Sequence, residues 1–92
     1  MEFEFNAEKS ASNKDKHGID FVEAQALWLD EWLFSHPVAA HDEIRYIVTG
    51  RIGQKLWTAV ITMRDDRLRI ISVRRARKDE RRNYEDNHGG RV

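Results

Sequence analysis

Arginine dominates the second half of this chain, and much of it lies in one stretch, Arg67 to Arg82, which reads RLRIISVRRARKDERR. A guanidinium is a planar fork of donors that matches phosphate oxygens and stays charged at any physiological pH. Arginines gathered on one open surface can bind a nucleic-acid backbone and can stabilise the charge that builds on a phosphate during strand cleavage. Histidine offers less. His36 and His41 flank Pro37 without a ligand spacing, His17 and His88 stand apart, and there is no cysteine, so neither a metal nor any other cofactor is expected. The sequence contains no P-loop, GxGxxG or GxSxG, which removes the usual anchors of nucleotide-dependent and hydrolase chemistry.

The net charge of zero is a cancellation. Residues 1–44 carry three Lys/Arg against ten Asp/Glu, and residues 45–92 carry thirteen against six, giving −7 and +7. The basic half can attract a polyanion, or the two halves can neutralise each other within the fold. A length of 92 residues suits one small domain with a modest core. The absence of cysteine excludes disulfides, and no apolar run has the length of a signal peptide or a membrane span. The expectation is a cytoplasmic protein without membrane contact.

The elements that must position the arginines can be read from the hydropathy pattern. Phe3 and Phe5 alternate with Glu2 and Glu4 as a short strand. Asn6 is placed to cap a polar helix that ends at Gly18, and Asp20 with Glu23 forms a capping box before a second helix carrying Phe21, Ala24, Leu27 and Trp28. That helix is expected to run on through Trp32, Leu33 and Phe34 until Pro37, with SHPVAAHDE as a loop. From Arg45 the period becomes two, and RYIVTGRI, KLWTAVITMR and RLRIISVRR read as an antiparallel meander with turns at Gly53-Gln54 and Asp65-Asp66. Two-residue turns would set Ile52 opposite Lys55 and Arg64 opposite Arg67.

One sheet face then carries Tyr46, Val48, Trp57, Ala59, Ile61, Met63, Leu68 and Ile70 and is expected to pack against the N-terminal helices. The other carries Arg45, Arg51, Arg64, Arg67 and Arg69 with Thr49, Thr58 and Thr62, around a row of Ile47, Val60 and Ile71. After Arg75, ARKDERRNYED predicts a short C-terminal helix docked by Tyr84. Residues 1–85 are expected to form the single domain and 86–92 a flexible tail. Trp28 and Trp57 fall to the core, with Trp32 left toward a partner, and His17 is expected to serve the carbonyl end of the first helix.

These residues resemble the BrnT family of bacterial toxins. The resemblance rests on FEFNAEKSASNKDKHGIDFVEA, with its aromatic pair, Asn13, Lys16-His17-Gly18 and Phe21 before Glu23-Ala24, and on RYIVTG, RLRIISVRR, Glu80, Arg81 and Tyr84 in the same order over residues 3–85. It implies a RelE-like α+β fold, in which an antiparallel sheet of the short strand and the meander is packed by two N-terminal helices, with a short C-terminal helix. It also implies a metal-independent ribonuclease toxin of a type II toxin-antitoxin pair. Carried over residue by residue, it implies Lys55, Arg64, Arg69 and Arg74 at the scissile phosphate, Lys55 transferring the proton. Arg45, Arg75, Arg77 and Lys78 would then hold flanking phosphates, and Tyr84 would contact a base. The implied partners are RNA and a BrnA-type antitoxin in a hetero-oligomer, with operator DNA met only through that antitoxin. The sequence departs from the family at Met63, where relatives carry an acid, and at Val73, where a smaller residue is usual. The alternative reading of the same arginines is a non-catalytic RNA-binding or protein-interaction module.

Overall fold

The computed structural model describes residues 1–89 and shows an α+β fold whose five strands form one mixed sheet. In chain order the elements are β1 (Glu2–Glu4), α1 (Ala7–His17), a 3-10 helix (Glu23–Leu29), β2 (Phe34–Ala40), β3 (Glu43–Ile52), β4 (Lys55–Arg64), β5 (Arg67–Arg75) and α2 (Lys78–Gly89). The strand order is β1-β5-β4-β3-β2. β1 runs parallel to β5 and every other pair is antiparallel, so the wholly antiparallel sheet expected from the sequence is corrected to a mixed one.

Local chemistry sets the helix ends. Asn6 Oδ1 accepts the Lys9 N–H at 3.0 Å, and Gly18, at φ 81°, closes α1 by donating its N–H to the Lys14 carbonyl at 2.9 Å. Only glycine adopts that left-handed conformation without a Cβ penalty. The capping box is present in both directions, Glu23 N–H to Asp20 Oδ1 at 2.8 Å and Asp20 N–H to Glu23 Oε1 at 2.9 Å.

The second helix is shorter and tighter than expected. It is a 3-10 segment that stops at Leu29, because the next residue, Asp30, turns its carboxylate to other backbone groups. Asp30 Oδ1 accepts the Trp32 N–H at 2.9 Å and Oδ2 accepts the Arg51 N–H at 2.8 Å. A side chain that captures nearby N–H groups in this way competes with continuation of the helix. The chain is then free to enter β2, and the expected loop SHPVAAHDE proves to be mostly strand. β2 occupies the sheet edge, where Pro37 can sit without costing a ladder hydrogen bond, and His41 at φ 55° makes the turn into β3.

The two hairpins have the expected register, Ile52 facing Lys55 and Arg64 facing Arg67. β5 contains an irregularity: Val60 faces Ser72 while Ile61 faces Ile70, which leaves Ile71 as the extra residue of a bulge. Downstream of it the faces are reset, so that Val73 joins the core and Arg74 points the opposite way. The face expected to meet the helices does so, with Phe21, Ala24, Leu27, Val48, Ile61 and Ile70 among its buried residues. Met63 is the exception at 44% exposed, because it lies at the far end of β4 beyond the helices' cover.

α2 packs on the opposite face, over Thr49 and Thr58, whose hydroxyls are 2.9 Å apart and buried. The helix continues through Gly89, so residues 86–89 of the expected tail are helical and the remainder lies outside the described residues.

Candidate functional site

α2 divides the second sheet face into a covered end and an open end. At the covered end, Arg74 makes a bidentate pair with Glu80, at 2.7 and 2.8 Å. Glu80 also accepts the Arg77 N–H at 2.8 Å and the Thr58 hydroxyl. The Arg74 guanidinium, helped by those donors against the cost of burial, holds the Glu80 carboxyl down at about 2. Tyr84 is 1% exposed, and its hydroxyl donates to Asp30 Oδ2 at 2.7 Å. Burial and the neighbouring carboxylate push the phenol up; for Asp30 itself, burial is outweighed by the donors of Arg51, Trp32 and Tyr84, which hold it down. A base cannot stack on a ring so enclosed, and Tyr84 is the anchor of α2 instead.

The open end carries two rows of charge that run across the strands. The first comprises Glu4 on β1, Arg69 on β5, Thr62 on β4 and Arg45 on β3, all registered as facing neighbours. Within it Arg69 Nη1 lies 3.1 Å from Glu4 Oε2, and Arg45 pairs with Glu43 at 2.9 Å. The second row holds Arg67 facing Arg64 across the hairpin, with Glu2 registered beside Arg67. Like charges directly opposite in a sheet are unfavourable, yet neither Arg64 nor Arg67 forms an ion pair among the described residues.

The four residues grouped at the scissile phosphate are therefore not brought together. Arg64 and Arg69 share the open end. Lys55 stands at the other end of β4, about 30 Å from Arg64 at the usual rise per residue, and exposed. Arg74 is also at that end, committed to Glu80. Of the flanking residues, Arg45 belongs with Arg64 and Arg69, whereas Arg75, Arg77 and Lys78 gather near Lys55. The Ala76 N–H donates to the Leu56 carbonyl at 3.0 Å there, and Arg75 lies 5.5 Å over the Trp57 ring.

Three residues that matter were given no site role from the sequence. Glu4 was visible only as the polar half of an alternating strand; its pairing with Arg69 depends on a parallel contact across 65 residues. Asp30 looked like a surface acid, and Glu80 stood out only as one of the residues that carry the family resemblance. Among the described residues, no three His, Asp or Glu side chains converge as a metal site would require, and no helix is long and apolar enough to cross a membrane.

A family model described as the ribonuclease toxin BrnT of type II toxin-antitoxin systems matches residues 5–80, most of the chain. The chain belongs to the BrnT toxin family. No curated protein matches it. As a BrnT-family ribonuclease toxin it has an antitoxin partner, and the matched span contains every arginine of the open end, Arg45, Arg64, Arg67 and Arg69, while Glu4 lies just before it.

Proposed function

We propose that this BrnT-family toxin cleaves RNA at the open end of the second sheet face, by a metal-independent, RelE-like reaction. The observation that carries this reading is the facing pair Arg64 and Arg67, neither in an ion pair among the described residues, beside the Arg69–Glu4 ion pair. A phosphodiester supplies the missing anion. Arg64, Arg67 and Arg69 hold the scissile phosphate and Arg45 a neighbouring one, and their fixed donors stabilise the extra negative charge of the five-coordinate transition state. The ribose O2′ attacks phosphorus, the P–O2′ bond forms, and the P–O5′ bond breaks. The 2′-hydroxyl proton passes to the Glu4 carboxylate beside Arg69, and the leaving O5′ takes a proton from water. The products are a 2′,3′-cyclic phosphate and a 5′-hydroxyl. Lys55, Arg75, Arg77 and Lys78 then serve as a distal phosphate track, with Lys55 outside the reaction.

The antitoxin we assign to this surface is of the BrnA type. Val38, 37% exposed, faces Arg45 across β2 and β3 and leaves an apolar border beside the arginine rows, which suits a protein that covers the site with acidic and apolar residues together. Through such a partner the complex, and not this chain alone, would reach operator DNA.

The test is incubation of the purified protein with single-stranded RNA in the presence of EDTA, followed by end-group analysis. Wild type and Lys55→Ala should yield 2′,3′-cyclic phosphate ends, and a folded Arg64→Ala/Arg69→Ala variant should yield none. Cleavage that survives in the double variant but disappears with Lys55→Ala would move the chemistry to the other end of the sheet. Binding of RNA with no cleavage by wild type would favour the non-catalytic module.

A further inference from the structure

A cleft of about 240 Å³ opens between α1 and β5, away from the arginine rows. Lys9, Ser12, Lys16 and His17 of α1 line it on one side, and Ile71 and Ser72 of the β5 bulge on the other. The spacing of 9, 12 and 16 puts those side chains on one helical face. Residues 1–44 contain only three lysines and no arginine. Lys14 is committed to Glu23 at 2.8 Å, and the other two both line this cleft, where no carboxylate is found among the described residues. A cationic cleft in the strongly acidic half of the chain selects an anion.

Size and position narrow the ligand. The cleft is smaller than the roughly 300–1,000 Å³ of sites that enclose a free small molecule. It suits one phosphate with part of its sugar, a single unit of a polymer. It also lies where β1 stops: the β1 register ends at Glu4 facing Arg69, and the bulge begins two residues later, about 7 Å farther along β5. Asn13 holds that junction, its Nδ2 donating to the Val73 carbonyl at 2.9 Å and its Oδ1 accepting the Val73 N–H at 3.2 Å, so the cleft wall is fixed to the edge of β5.

We propose that this α1–β5 cleft is a phosphate subsite for single-stranded RNA leaving the arginine rows over the β5 edge, with Lys9 and Lys16 as its charge contacts and His17 and Ser72 as its hydrogen-bonding contacts. The proposal rests on the RNA-cleavage reading above. It gives the substrate a polarity across the fold, from the open sheet face to the flank of α1.

The experiment measures fluorescence anisotropy of 2′-O-methyl oligonucleotides, which cannot undergo attack by O2′. A short one spans only the arginine rows and a long one reaches the cleft. Lys9→Ala/Lys16→Ala should weaken the long oligonucleotide on the order of tenfold at low salt, lower its salt slope by about 0.7 for the one phosphate lost, and leave the short one unchanged. Lys9→Arg/Lys16→Arg should restore the long one. Arg64→Ala/Arg67→Ala should weaken both. If the lysine variant binds the long oligonucleotide with wild-type affinity and slope while the arginine variant still loses both, the cleft is not a subsite and the cleavage reading stands. If wild type binds neither, both readings fall.

Discussion

Glu80→Gln tests whether the Arg74–Glu80 pair is part of the fold and not of the RNA site. The Glu80 side chain is only 11% exposed, so solvent screens the pair weakly. Its carboxyl is held at about 2, against an ordinary value of 4.5. A folded-state value below the unfolded one means stability that is complete above the unfolded value and is lost as pH falls toward the folded one. At 1.36 kcal/mol per unit, the depression corresponds to about 3 kcal/mol at neutral pH, and linkage leaves roughly half of it at pH 3. Glu80→Gln should therefore cost about 3 kcal/mol near pH 7 and roughly half that at pH 3. Urea unfolding followed by tryptophan fluorescence at several pH values measures both. A penalty that is the same at pH 7 and pH 3 would refute the linkage. A penalty below about 0.5 kcal/mol at pH 7, in the range of an exposed pair, would refute the pairing itself.

Other substitutions probe the contacts that hold the two faces together. Tyr84→Phe removes the hydrogen bond to Asp30 while keeping the ring, and should lower unfolding free energy by about 1.5–3 kcal/mol in the same urea assay, because the lost bond is to a charged group. Asn13→Ala leaves both the N–H and the carbonyl of Val73 without their side-chain partner; a loss of about 2–4 kcal/mol and faster hydrogen exchange at the Val73 amide are expected, and unchanged exchange would contradict the edge-closing role. Gly50→Ala would place a Cβ 2.6 Å from Leu33 Cδ1, and since that methyl can yield, the thermal midpoint should fall by an amount equivalent to about 1–2 kcal/mol.

The parts of the fold legible in the sequence are those set by local chemistry. Asn6, Gly18, the Asp20-Glu23 box and the two hairpin turns each fix backbone geometry within a few residues, and each is found where the sequence places it. The parts that escaped depend on distant partners. Asp30 ends the 3-10 helix because Arg51 is there to donate to it, 21 residues later. β2 exists because β3 offers it an edge, which no propensity of SHPVAAHDE announces. The candidate site follows the same division. Alternation alone puts Arg45, Arg64, Arg67 and Arg69 on one face, and the length of KLWTAVITMR already sets Lys55 a strand away from Arg64, but only the fold reveals that Arg74 is taken by Glu80.

The charge division between the halves bears directly on function. Had the acidic half neutralised the basic one, ion pairs would span the two throughout the fold. Of the pairs formed, Arg69–Glu4 and Arg45–Glu43 cross between the halves; Lys14–Glu23 and Arg74–Glu80 each stay within one. Asp30 spends its carboxylate on backbone N–H groups and a phenol. Arg64, Arg67, Arg75, Arg77, Lys78, Arg81 and Arg82 consequently reach the surface with no ion pair among the described residues. The crossing pairs lie at the open end, so the acids of the first half there restrain Arg45 and Arg69 without discharging the rows. On the proposed reading, an RNA phosphate entering that end meets arginines already oriented by Glu4 and Glu43, at little further cost in side-chain freedom. An antitoxin that blocks it has the same arginines to neutralise, which makes acidic residues on its contacting surface the feature to look for first.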